Sequence, residues 1–429
     1  MENRTVAVVG LGYIGLPTAA VLASHGFRVI GVDTNPDVVA AVNAGTVPFV
    51  EPDLDVAVAG AVSRLWLQAQ SVMPKADVYV IAVPTPFKEG HEPDLSFVEA
   101  AARAVAPVLS GGELIILEST SPPGTTLRLA RSIGDLRPDL DMALNDEHRS
   151  SAVHFAHCPE RVLPGRIMTE MIENDRIVGG LSASSTQKAA ALYRTFCKGE
   201  VLSTTAETAE TAKLVENAYR DVNIALANEI SQVADVLNID VWEVIELANR
   251  HPRVNILRPG PGVGGHCIAV DPWFLISSAP GKTPLMRQAR VTNDTKPAQV
   301  ASAIDAAVRQ SGASSVTLLG LAYKADIDDL RESPAVQIAR DVALMLPEVQ
   351  INLVEPHISD LPASLRSLDN VTLSGSATAA AEEGVLAVLV DHTSFKGLIR
   401  EEMVAAAIID VCGLWSRSAA VAPLVLDVT

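Results

Sequence analysis

A single cysteine, Cys267, follows the run Gly260-Pro261-Gly262-Val263-Gly264-Gly265-His266, and Asp271 stands four positions beyond it. A loop of this kind brings backbone close to a ligand. A thiol at its end can act as a nucleophile if a cation or oriented dipoles favour the thiolate, because a thiol of ordinary pKa, ~8.5, is mostly protonated at neutral pH. Lone cysteines are more often buried and inert, yet four glycines within eight residues are poor material for a core. Lys213, Asn217 and Arg220 form a second candidate group, spaced so that a helix would carry them on one face. A solvated polar face is the plainer reading of that spacing. The third group is Gly10-Leu11-Gly12-Tyr13-Ile14-Gly15, whose glycines suit a tight turn that presents backbone N–H groups to a pyrophosphate. Val32-Asp33 lies where an acidic side chain accepts hydrogen bonds from an adenosine ribose and repels an additional phosphate, which favours NAD over NADP.

The elements that must position these groups show in the hydrophobic pattern. Short apolar runs at Val6–Gly10, Val29–Val32, Val78–Val83, Leu114–Leu117, Val153–Ala156 and Ile177–Val178 alternate with helix-length segments, which predicts a doubly wound α/β sheet. Two loops follow predicted strands at the ends that line a cofactor crevice: Pro84-Thr85-Pro86, and Glu118 to Thr126 with Ser119, Thr120 and Thr125 between. From Glu207 to Leu237 apolar residues recur at helical intervals. Near Lys296 a third region begins, with strands expected at Val316–Leu319, Ile351–Val354, Val385–Val390 and Ile408–Val411; the alanine-rich tract Ala377–Ala381 reads as helix. The expected architecture is two doubly wound Rossmann-like domains, 1–204 and 297–429, joined by a long central helix and a helical region over 205–296.

The 429 residues suffice for several cores, and a formal charge of −18 argues against nucleic acid or an anionic membrane as partner. The uncharged stretch Thr5–Ser24 imitates a targeting signal, but Gly10, Gly12, Gly15 and Pro17 interrupt it, so strand, turn and helix explain it better. Cysteines at 158, 197, 267 and 412 show neither disulfide-framework nor zinc spacing, and a cytoplasmic setting is expected.

The glycine fingerprint, the Gly264-Gly265-His266-Cys267 loop and Arg331-Glu332-Ser333-Pro334 together resemble the UDP-glucose/GDP-mannose dehydrogenase family over nearly the whole chain. His251-Pro252-Arg253-Val254-Asn255-Ile256 and Cys158-Pro159-Glu160-Arg161-Val162-Leu163-Pro164-Gly165 point within it to a UDP-linked 2-acetamido sugar of manno configuration, with UDP-glucose or UDP-N-acetylglucosamine as alternatives. The resemblance implies oxidation of the sugar C6 from alcohol through aldehyde to acid with two NAD⁺. Cys267 would form a thiohemiacetal and then a thioester, with no metal. Lys213 would transfer the proton and steady the oxyanion, held with a water by Asn217 and Asp271, and Thr120 and Glu160 would belong to the same catalytic set. Gly10, Gly12, Tyr13, Ile14, Gly15, Asp33, Thr85, Thr126 and Arg331 would bind the cofactor. Arg161, Val162, Lys213, Asn217, Arg220, His251, Arg253, Gly264, Tyr323 and Lys324 would bind the UDP-sugar. Arg253 would reach the neighbouring subunit's substrate, which implies a homodimer or higher homo-oligomer built around the central helix.

Three other readings share parts of this pattern. A two-electron hydroxyacid dehydrogenase needs the fingerprint and a helical lysine but no cysteine. A zinc alcohol dehydrogenase would need His154, His157 and Cys158 as ligands at an unusual spacing. A protein that senses NAD or a nucleotide without turnover would have no use for the Lys213, Asn217, Cys267 and Asp271 set. Tyr323, where many relatives carry phenylalanine, and Cys412 depart from the family's usual residues.

Overall fold

Strands buried on both faces need apolar side chains at every position, and the first sheet is built from such runs. In the computed structural model, which describes residues 4–49, 51–163, 165–265, 268–374 and 384–415, the chain divides into two units. One holds the residues up to Glu216 together with Trp273–Lys282, and the other holds Asn217–Pro272 with the chain from Thr283.

The first unit contains β1 (Thr5–Val9), β2 (Arg28–Val32), β3 (Leu67–Gln70), β4 (Val78–Ile81), β5 (Leu114–Leu117), β6 (His154–His157), β7 (Arg176–Gly180) and β8 (Val201–Thr205). They hydrogen-bond in the order β3-β2-β1-β4-β5-β6-β7-β8. Every pairing is parallel except β6 with β7. Alternation along the strands sends Val6, Val8, Val78 and Val80 to one face, under α1 (Gly15–Ser24), α6 (Ile167–Glu173) and α7 (Ala183–Tyr193). Ala7, Val9, Tyr79 and Ile81 go to the other, under α4 (Ser96–Val105) and α5 (Thr125–Leu136), while α2 (Pro36–Asn43) and α3 (Leu54–Ser63) link β2 to β3. The order reverses between β1 and β4, so a crevice opens at the carboxyl ends of those two strands.

Helix α8 (Ala206–Leu237) follows β8 and matches the long helix expected from Glu207. The second unit adds α9 (Val241–Asn249), α11 (Pro284–Ser311) and α12 (Pro334–Met345), while α10 (Asp271–Ser278) lies across the chain division. Its sheet joins β9 (Ser315–Leu319), β10 (Gln350–Val354), β11 (Val371–Ser374), β12 (Val385–Val388) and β13 (Ala407–Asp410) in the order β11-β10-β9-β12-β13, all parallel. This is the winding of the first sheet over again, so both Rossmann-like sheets are present. Ala377–Ala381 lies outside the described residues. Strands β3, β8 and β11 are additions to the expected set, and α11 runs unbroken through Lys296 and Pro297.

Within the second unit, α11 is fixed to α8 by buried polar groups. Arg290 and Asp221, 2% and 0% exposed, pair at 2.6 Å. Asn293 Nδ2 donates to Asp221 at 2.8 Å, Asn228 Nδ2 donates to Asn293 at 2.9 Å, and the Gly260 N–H donates to Asn228 Oδ1 at 3.0 Å. The chain of bonds ends on the first residue of the glycine-rich loop. Removing the guanidinium alone leaves a buried carboxylate without its cation. Arg290→Met is therefore expected to lower unfolding stability by about 3–5 kcal/mol, read by denaturant titration, whereas adding Asp221→Leu recovers most of that loss.

Candidate active site

The turn between β1 and α1 is dictated by contacts that allow no side chain. Gly10 has φ +91°, and a β-carbon on it would sit 2.6 Å from the Ala82 carbonyl oxygen at the end of β4. A β-carbon on Gly15 would lie 1.8 Å from the Gly10 oxygen, so α1 can begin this close to β1 only with glycine there. A β-carbon on Gly12 meets no protein atom within 4 Å. Gly12 thus borders open space at the N-terminus of α1, which carries no side-chain cap. The half-buried Asp33, just past β2, accepts from Leu11 N at 2.8 Å and Asn35 N at 2.9 Å. Leu11 in turn packs over Gly31. Ile14 stands at the N-cap of α1, and Tyr13 stacks on Phe49 with centroids 4.2 Å apart. A helix end without a side-chain cap, open space beside Gly12 and an acid directly after β2 together fit NAD.

The neighbouring loops close the crevice floor. Thr85 donates to the Thr120 carbonyl at 2.5 Å, and Ser119 donates to Val83 O at 2.7 Å. The Thr126 hydroxyl and N–H both donate to Glu210 Oε1, at 2.6 and 2.7 Å, and Gly124 N donates to Oε2 at 2.6 Å. Glu210, from α8, thereby caps α5, and the proton of the Thr126 hydroxyl is already taken. Burial raises the pKa of Glu210.

Glu160 belongs to a buried charge cluster whose other members, Glu118, Arg176 and Tyr193, were given no role in the sequence reading. Glu118, 1% exposed, accepts from Thr18 on α1 at 2.9 Å and from Tyr193 on α7 at 2.7 Å. Glu160 pairs with Arg176 at 3.1 Å, and the guanidinium lies 5.1 Å from the Tyr193 ring centre and 5.4 Å from that of Phe196. Two acids share one guanidinium. Burial, and then the nearby Glu160, push the Glu118 carboxyl up to about 7. The available signal was Glu118 directly after an apolar strand and Arg176 directly before one.

Arg161 makes a forked pair with Glu216, at 2.7 and 3.2 Å, and Val162 packs against the core beneath α1. Lys213 is half-buried on α8, with Asn217 one turn on and Arg220 exposed. In the second unit Asn217 donates to Asp271 at 2.5 Å, both side chains being buried. His266 and Cys267 lie outside the described residues. Up to Gly265 the loop is wedged against the β9 side: a β-carbon on Gly264 would sit 2.6 Å from Glu332 O and 2.8 Å from Tyr323 Cβ. Arg331 makes a forked pair with Asp329, its closest contact 2.6 Å, and Lys324 is exposed. His251 and Arg253 are exposed at the end of α9, where the Arg253 N–H donates to His251 Nδ1 at 3.3 Å.

Burial pushes the Cys158 thiol up to about 12, which disqualifies it as a nucleophile at neutral pH. The zinc reading fails on geometry, because Cys158 follows Ala156 into one core while His157, one position earlier, points to the opposite face. No helix among the described residues is long and apolar enough to cross a membrane.

A wound sheet with this turn and acid defines a dinucleotide-binding protein. The chain belongs to the UDP-glucose/GDP-mannose dehydrogenase family and is an NAD-dependent UDP-sugar dehydrogenase: residues 4–197 match that family's NAD binding domain, 207–295 its central domain and 317–417 its UDP binding domain. It is 50% identical to the UDP-N-acetyl-D-mannosamine dehydrogenase of Yersinia pestis, over 97% of this chain and 100% of that one. It is 49% identical to an NDP-N-acetyl-D-galactosaminuronic acid dehydrogenase of Ralstonia nicotianae, over 97% of each. A solved UDP-D-ManNAc dehydrogenase from Pyrococcus horikoshii, 38% identical, superposes with a TM-score of 0.84 over 96% of both chains.

The two kinds of glycine separate experimentally. Gly12→Ala is expected to leave unfolding unchanged and weaken NAD⁺ binding in calorimetry by about tenfold or more, since only the ligand meets the new methyl. Gly15→Ala should instead lower the melting temperature. Glu118 carries a pH signature: its folded pKa of about 7 lies above the ordinary 4.5, so the native state holds this proton more tightly than the unfolded chain. Its contribution is full below about 4.5 and is lost as pH rises through 7. Melting curves should show wild type losing stability relative to Glu118→Gln across that interval, and parallel curves would refute the assignment.

Proposed function

We propose that this chain oxidises C6 of UDP-N-acetyl-D-mannosamine to the carboxylate, giving UDP-N-acetyl-D-mannosaminuronate, with two NAD⁺ reduced per sugar. The observation that carries this reading is full-length identity of 50% to a relative bearing that activity's name, together with the retained Gly264-Gly265-His266-Cys267 loop.

NAD⁺, when bound, accepts a hydride in each oxidation. In the first, Lys213 takes up the proton of the C6 hydroxyl as C6 becomes an aldehyde. Cys267 Sγ then adds to the aldehyde carbon, and the resulting thiohemiacetal still carries the hydrogen that leaves as the second hydride. The thioester so formed is attacked by water; the C–S bond breaks, the thiolate departs and the carboxylate is released. Lys213 steadies the oxyanion at each tetrahedral stage. Asn217 and Asp271 hold Lys213 and a water in position, and Thr120 and Glu160 complete the set. The diphosphate, uridine and sugar fall to Arg161, Val162, Arg220, His251, Gly264, Tyr323 and Lys324. Thr85, Thr126 and Arg331 join the glycine turn at the cofactor.

The reading extends to a homodimer in the cytoplasm, with domains over 1–204, 205–296 and 297–429. Support for the dimer comes from Tyr219, Leu226 and Val233, seven residues apart on α8 and 61%, 47% and 57% exposed, with Leu237 a further turn on at 61%. Such a stripe suits a second copy of the same helix, across which Arg253 would reach the neighbouring site. A second reading, the galacto epimer, is favoured by the 49% identity to the Ralstonia enzyme.

NADH released per sugar consumed decides the chemistry. With UDP-N-acetyl-D-mannosamine and excess NAD⁺ the expected ratio is two, with a 6-carboxylate product, and Cys267→Ala should abolish acid formation. A ratio of one would overturn the thioester route. Faster turnover of UDP-N-acetyl-D-galactosamine would reassign the sugar.

A further inference from the structure

Away from the exposed stripe of α8, the second unit has a half-open cavity of about 430 Å³ between the far side of that helix, the start of α9, α11 and the end of β13. Lys296 lines it at 7% exposure. Its ammonium makes one hydrogen bond, to Ser231 Oγ at 2.8 Å, and Ser231 is itself committed to the Asn228 carbonyl at 2.7 Å. Among the described residues no carboxylate lies within the 4.0 Å of an ion pair with Lys296. An ammonium has three N–H donors, and among the described residues only this one bond from Lys296 is formed. A buried cation in that state calls for an anion.

The acids nearby do not supply one. Asp410 accepts from the Leu414 and Trp415 N–H groups, at 2.9 and 3.1 Å, and Asp235 is exposed; both line the cavity, and neither comes within ion-pair distance of Lys296. Burial lowers the Lys296 pKa, while Asp235 opposes that shift. Gln232 adds a further polar group to the wall, and its apolar part includes Val300, Val411 and Trp242, whose ring also takes the Arg258 guanidinium at 5.1 Å from its centre. Gln299, exposed beside Lys296 and lining the same space, adds an amide donor.

We propose that this cavity binds a small organic carboxylate, its charged end on Lys296 and Gln299 and its apolar body against Trp242, Val300 and Val411. The volume suits a ligand of that size. The site uses none of the groups assigned to sugar oxidation, so its occupancy is separable from turnover.

Benzoate and inorganic phosphate, titrated calorimetrically into the full-length protein with saturating NAD⁺, test the assignment. Benzoate is expected to bind saturably, and Lys296→Met to weaken it by about tenfold or more through loss of the charge-assisted bonds. Ala303→Phe, which fills the cavity and leaves the ammonium in place, should weaken benzoate equally and serves if Lys296→Met does not fold. Phosphate should bind more weakly than benzoate. The proposal is overturned if benzoate fails to saturate, if both variants bind it as wild type does, or if phosphate binds as well as benzoate and ignores Ala303→Phe.

Discussion

The distance of 1.8 Å that would separate a β-carbon on Gly15 from the Gly10 oxygen states the tightest constraint in the molecule. Because neither residue has a side chain, α1 starts directly against β1 and its first N–H groups end up beside the crevice. The hydrogen bond from Leu11 N to Asp33 then ties the turn to the end of β2, so that loop, helix and Asp33 are joined in one piece. Everything else at the cofactor end is arranged around that piece, including Thr18 of α1, which reaches Glu118.

The second sheet repeats the solution with different outcomes. Gly320, after β9, has φ +91° as Gly10 does, and a β-carbon there would meet Val390 Cβ at 2.4 Å. Glu355, after β10, accepts from Leu321 N at 2.7 Å as Asp33 accepts from Leu11. Glu355 is also bonded to Ala322 N at 3.0 Å and to His392 Nε2 at 3.0 Å, and it is 4% exposed. Its carboxylate is spent on holding the loop that carries Tyr323 and Lys324. The same winding thus yields an open acid in one unit and a closed one in the other.

Most of the frame was legible in the sequence, and the strands that were not share a cause. Central strands are covered on both sides and so read as unbroken apolar runs, whereas β3 alternates Leu67 and Ala69 inward with Gln68 and Gln70 outward. Strands β8 and β11 are likewise at sheet edges, each with a single fully buried residue. Pattern reading depends on two-sided burial and is weakest there. The continuous course of α11 past Pro297 was hidden by a residue that ordinarily ends a helix. Partners distant along the chain left no trace in local pattern: nothing near Thr126 indicates Glu210, and nothing near Arg161 indicates Glu216. The hydrogen bond between Asn217 and Asp271, 54 positions apart, likewise had no local signal.

The capping of α5 by Glu210 has a consequence for the direction in which a long ligand lies. Two helix N-termini stand along the carboxyl edge of this sheet, those of α1 and α5, and each would attract negative charge. At α5 that attraction is already answered by a buried carboxylate, while α1 has no side-chain cap. The edge is therefore electrically lopsided, with a receptive end beside β1 and a quenched one beside β5. A dinucleotide placed along it finds a home for its diphosphate at one end only, so its head and tail are told apart before either base or ribose is recognised.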